Sequence, residues 1–120
     1  NIPLVYIRSK PKAHGLKNLI EGKLEPNKNV IVIEDLISTG GSSIKAVEAI
    51  RNSGCTVQSV LSIFNYGFDI SKTNFADIQC EHKSLCNYDD LLTVALENNY
   101  ISNNEIQELK KWRNNPGEWN

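Results

Sequence analysis

At 120 residues, with 40% hydrophobic and 22% charged side chains, the sequence describes one soluble globular domain large enough to bury a core. A formal net charge of -1 excludes the basic footprint of a nucleic-acid binder, and no Lys/Arg block points to a membrane surface. No apolar run approaches a transmembrane helix, and no charged-then-apolar start resembles a signal peptide.

In chain order, Ile2 to Ile7 reads as a strand, with Leu4, Val5, Tyr6 and Ile7 apolar enough to be buried. Residues 8–22 form a basic loop carrying Arg8, Lys10, Lys12, His14 and Lys17, with Pro11 blocking a regular helix. Val30 to Ile33 is a continuous β-branched run, the pattern of a parallel strand covered on both faces. From Ser42 or Ser43 the period becomes helical through Ile44, Val47, Ala49 and Ile50, and Ser53-Gly54 supplies the stop. Thr56 to Phe64 is the next strand. Asn65 to Lys72 reads as a turn region, and Phe75-Ala76-Asp77 as the end of a short helix. His82 to Leu85 reads as a short edge strand that leaves His82 at the surface. Tyr88 to Asn98 and Asn103 to Asn114 read as amphipathic helices, the second capped by Ser102 or Asn103. Strand, loop, helix, strand is the grammar of a parallel α/β sheet in a single domain, Rossmann-like, with helices at about 88–114. Cys55, Cys80 and Cys86 are odd in number and lack a CxxC pair, so they read as structural thiols of a reducing cytoplasm.

The stretch VIVIEDLISTGGSS, residues 30–43, carries the chemistry. Ligands of open α/β sheets sit beyond the carboxyl ends of the strands, and Glu34 and Asp35 are expected there. Ser38, Thr39, Gly40, Gly41, Ser42 and Ser43 then lead into a helix N-terminus, where unpaired N–H groups favour phosphate. The glycines let backbone amides approach an anion, and the hydroxyls can donate to it. An acid pair alone is often a solvated strand end, and STGGSS alone could be a linker. In direct succession behind a β-branched strand they point to a sugar phosphate, with carboxylates toward ribose hydroxyls and loop toward the 5′-phosphate. A P-loop lysine and a GxGxxG turn are both absent, so neither a P-loop NTPase nor a dinucleotide fold is expected.

VIVIEDLISTGGSS resembles the phosphoribosyl pyrophosphate (PRPP) motif of type I phosphoribosyltransferases. Arg8-Ser9-Lys10-Pro11-Lys12-Ala13-His14-Gly15 resembles the mobile catalytic loop of the orotate phosphoribosyltransferase family, loop 8–22 here. The tail, from Tyr88-Asp89-Asp90-Leu91-Leu92 through Tyr100-Ile101-Ser102 to Trp112, Arg113, Pro116 and Trp119, is also similar. The resemblance implies transfer of the phosphoribosyl group from PRPP to orotate, giving orotidine 5′-monophosphate and pyrophosphate. It implies that Glu34 and Asp35 hold the ribose hydroxyls, and that Ser38 through Ser43 cradle the 5′-phosphate, with Ser38 also facing orotate. Arg8, Lys12 and His14 would close over the pyrophosphate, and Arg8, Lys12, His14 and Asp35 would be the catalytic set. Mg²⁺ would arrive on PRPP without a direct protein ligand, and a homodimer would let the loop reach the neighbouring subunit's site.

The family's N-terminal hood and pyrophosphate loop have no counterpart ahead of Leu4. The expectation is therefore the C-terminal portion of a longer enzyme, inactive or weakly active by itself. Asn65-Tyr66-Gly67 stands where some relatives place an arginine against the orotate carboxylate. A purine phosphoribosyltransferase would share residues 30–43 but not the KPKAHG loop. A PRPP-sensing regulator of the same fold would show a basic face, which the charge balance disfavours.

Overall fold

The computed structural model describes residues 2–10 and 19–118. Its centre is a parallel sheet of three strands, β3 (Asn29–Ile37), β4 (Thr56–Asn65) and β5 (Glu81–Asn87), in the order β3-β4-β5. Two helices, α1 (Gly41–Asn52) and α2 (Asp69–Asp77), form the crossovers between them. Right-handed crossovers that advance through the sheet in one direction lay both helices on the same face. The main core lies there, with Val32, Val47, Ile50, Val60 and Phe75 all at most 7% exposed.

This geometry corrects the expectation that residues 30–33 are covered on both faces. Val32 is buried toward α1, whereas Ile31 and Ile33 are 47% and 67% exposed on the other side, where Ile33 shares an open apolar surface with Ile63 and Leu85. The run is apolar on both faces, but both crossover helices, α1 and α2, fall on one. A second correction concerns the first strand. Tyr6–Ile7 (β1) pairs antiparallel with Ile20–Glu21 (β2), so the pair is a short ribbon at the base of the basic loop and no part of the parallel sheet. Leu4 and Tyr6, expected to be buried, are exposed, as is Ile2.

A second core closes the other end. Two more helices, α3 (Tyr88–Glu97) and α4 (Asn103–Asn114), bury Tyr88, Leu92 and Ile106 and receive Phe64, Tyr66 and Trp112 at their edge. Trp112 is thus a packing residue; Trp119 lies outside the described residues. Ser102 caps α4 in a full capping box with Glu105, and Asn87 caps α3 by accepting from the Asp90 N–H. Arg113 ties α4 to α3 through both guanidinium nitrogens, at 2.8 and 3.0 Å from the Asp89 carboxylate. That pair holds the Asp89 carboxyl below its usual range.

Candidate active site

β3 runs four residues further than the β-branched run, to Ile37, so Glu34 and Asp35 sit inside the strand instead of just past it. Adjacent strand residues point to opposite faces, and the two carboxylates divide accordingly. Glu34, half-buried, turns toward α1, where the Ser43 hydroxyl donates to its Oε1 at 3.0 Å. Asp35 is exposed on the side of Ile31 and Ile33, and its Oδ1 accepts from the Leu36 N–H at 2.7 Å.

The chain then turns through Ser38, Thr39 and Gly40 into α1. Gly40 is the N-cap, with φ +83° in the left-handed region, and it brings no capping side chain. A Cβ there would also come within 2.9 Å of the Phe75 ring, so both the backbone and the packing call for glycine. The Gly41 N–H is met by the Thr39 Oγ1 at 3.3 Å. No acidic residue stands in the first turn of α1, whereas α2, α3 and α4 each carry at least one. A helix start whose N-cap residue brings no side chain and whose own first turn carries no acid favours an anion through its remaining N–H groups and dipole.

Ser38, Thr39, Gly41 and Ser42 are exposed at this turn. Ser43 is not: it is 1% exposed, and its hydroxyl faces Glu34, which leaves its contribution to the loop to the backbone. Glu34, Gly41, Ser42 and Arg8 line one concavity along β3, an outer strand of the sheet. Lys45 lines it too, and sequence reasoning missed it; its position four residues after Gly41, one helical turn on, was the available signal. Arg8 reaches the concavity from the ribbon, where its guanidinium pairs with Glu21. Lys12 and His14 lie outside the described residues, so the structure does not place them.

After β4, the side-chain oxygen of Asn65 accepts from the Gly67 N–H at 2.8 Å, and the Tyr66 N–H donates to the Ile37 carbonyl. The segment is fixed beside the end of β3 without a cation of its own. His82 is half-buried on β5, stacked on Phe75 with ring centroids 4.3 Å apart, and burial lowers its pKa. Cys55, Cys80 and Cys86 are free thiols. No helix among the described residues is long and apolar enough to cross a membrane.

No family model matches the chain. It is 48% identical over 119 residues to the orotate phosphoribosyltransferase of Cytophaga hutchinsonii, a match covering 99% of this chain and 57% of that protein. The orotate phosphoribosyltransferase from Aeropyrum pernix superposes with a TM-score of 0.68 and 27% identity, over 83% of this chain and 54% of that one. The Mycobacterium tuberculosis H37Rv orotate phosphoribosyltransferase, solved in complex with 5-phospho-α-D-ribosyl 1-diphosphate, superposes with a TM-score of 0.59 and 25% identity, over 76% of this chain and 52% of that one. The chain has the fold of the phosphoribosyltransferases. Along 119 residues its sequence is similar to orotate phosphoribosyltransferase in particular, and it spans about 57% of the length of the curated relatives it matches.

Proposed function

We propose that the protein is an orotate phosphoribosyltransferase, a pentosyltransferase of pyrimidine nucleotide synthesis that joins orotate to the ribose of PRPP and releases pyrophosphate. The observation that carries this is the β3–α1 junction. There a carboxylate pair on the strand is followed by a glycine turn into a helix start that has neither a capping side chain nor an acid. Similarity to enzymes of that name over nearly the whole chain supports orotate as the acceptor, and the PRPP complex of one of them supports the donor.

In this assignment Glu34 and Asp35 address the ribose hydroxyls. Ser38, Thr39, Gly40, Gly41 and Ser42 hold the 5′-phosphate, and Ser43 adds its backbone N–H while its side chain steadies Glu34. Ser38 also borders the base. Displacing pyrophosphate from C1 builds positive charge on the sugar, which carboxylates beneath the ring stabilise, and negative charge on the leaving group. Arg8, Lys12 and His14 stabilise the latter, His14 can pass a proton to it, and the loop that carries them excludes water. Lys45 adds a further cation at the same mouth. Mg²⁺ would arrive on PRPP without a direct protein ligand. The ion would there neutralise part of the leaving charge. A homodimer with the loop crossing to the neighbouring site and a cytoplasmic location, which the three free thiols suit, complete the proposal.

The test is base preference. Pyrophosphate release from PRPP and Mg²⁺ is compared with orotate, adenine and hypoxanthine as acceptors. Release that depends on orotate is expected. Release with a purine and none with orotate would move the assignment to the purine enzymes.

A further inference from the structure

Asn74, in the second turn of α2, has no part in the assignment above. Its Nδ2 donates to the Thr39 carbonyl at 3.1 Å, reaching back 35 residues to the loop. At the next position Phe75, 1% exposed, closes against Gly40, whose missing Cβ makes room for the ring. Two successive residues of α2 therefore meet two successive residues of the loop, one through a polar hold and one through an apolar stop.

We infer that Asn74 is a positioning residue for the phosphate-binding turn, an inference that rests on the sugar-phosphate assignment of that turn. A peptide unit is planar and trans, so its carbonyl and its N–H point in opposite directions. Holding the Thr39 carbonyl on α2 fixes the N–H of Gly40 away from α2, and keeps the carbonyl's negative end turned from an incoming anion. Gly40 adopts left-handed and right-handed conformations with similar ease, so nothing local to it prevents the Thr39–Gly40 peptide from rotating. A rotated peptide offers oxygen where phosphate needs a donor. Every molecule in that state is lost to binding, and the apparent dissociation constant rises with its population. Because Asn74 bonds to the loop's main chain, it acts through the backbone of Thr39 and Gly40.

The experiment is an amide NMR titration of the chain with ribose 5-phosphate, alongside N74A and N74Q, with thermal unfolding of each. The wild type is expected to show the Gly40 to Ser43 amides shifting on binding. N74A should bind roughly threefold to tenfold more weakly, the effect of one neutral hydrogen bond, with a reduced Gly40 shift and a near-unchanged unfolding midpoint. N74Q keeps the amide donor on a longer stem and should recover part of the affinity. Equal affinity and equal Gly40 shifts in wild type and N74A would overturn the inference while leaving the sugar-phosphate assignment standing. Equal losses in both variants, with shifts spread through α2 and lowered midpoints, would mark a structural role and overturn it as well. A folded wild type whose loop amides do not respond to ribose 5-phosphate would remove the assignment and the inference together.

Discussion

Gly40 shows how closely single positions are constrained at this junction. It combines a left-handed φ of +83° with a 2.9 Å approach of the Phe75 ring to any added Cβ. Gly40→Ala is therefore expected to lower stability by about 1–2 kcal/mol from the backbone alone, and more from the contact, measured as a fall in the urea midpoint. It should weaken ribose 5-phosphate binding in parallel. Gly41→Ala, which meets only Thr39 Oγ1 at 3.5 Å, should cost little stability. The composition of this turn was legible in the sequence because hydroxyl and glycine residues after an acid pair have few other uses. The division of Glu34 from Asp35 and the turning of Ser43 onto Glu34 were not. Both follow from β3 continuing to Ile37, and β-branched residues mark only its first half.

At the scale of elements, the sequence located α1, β4, α3 and α4 nearly to their ends, because each carries a clear period, a Gly stop or a capping residue. α2 was harder. It reads DISKTNFAD, with Ser71 and Phe75 as its only buried residues and Ile70 exposed, so it offers little apolar periodicity; the sequence shows its end at Phe75-Ala76-Asp77, while its first four residues read as a turn. Its helical form is imposed by the crossover and by Phe75 filling the space under the sheet. The His82 ring stacked on Phe75 gives this layer a pH dependence. Burial lowers the His82 pKa in the fold, so as pH falls through the ordinary histidine value, about 6.5, the unfolded chain takes up the proton first. The stability from keeping His82 neutral is complete above that value and is lost as pH falls below it. His82→Gln should be less stable near neutrality, yet its urea midpoint should drop less between about pH 7.5 and about pH 5.5 than the wild type's. An unchanged slope would show that another group sets the acid sensitivity.

For the whole molecule, the sequence indicated a parallel α/β sheet but not which of its faces is covered. A fully apolar strand run says that both faces avoid water; it does not say which residues cover them, and here the crossovers supply one cover only. The aromatic cluster of Tyr66, Phe68, Tyr88 and Trp112 was equally invisible, because its members come from segments up to 46 residues apart and join only when α4 folds back. Those two cores hold the strand ends where the acid pair and the phosphate turn meet, and that meeting is the centre of the account. Its most direct test is calorimetric titration with PRPP and Mg²⁺, wild type beside Asp35→Asn. Hydrogen bonds to a charged group are worth roughly 1.5–3 kcal/mol, so the account predicts binding by the wild type and an affinity about ten- to a hundredfold lower in the variant. Equal affinity in the two folded proteins would contradict it, because the ribose would then lie away from Asp35.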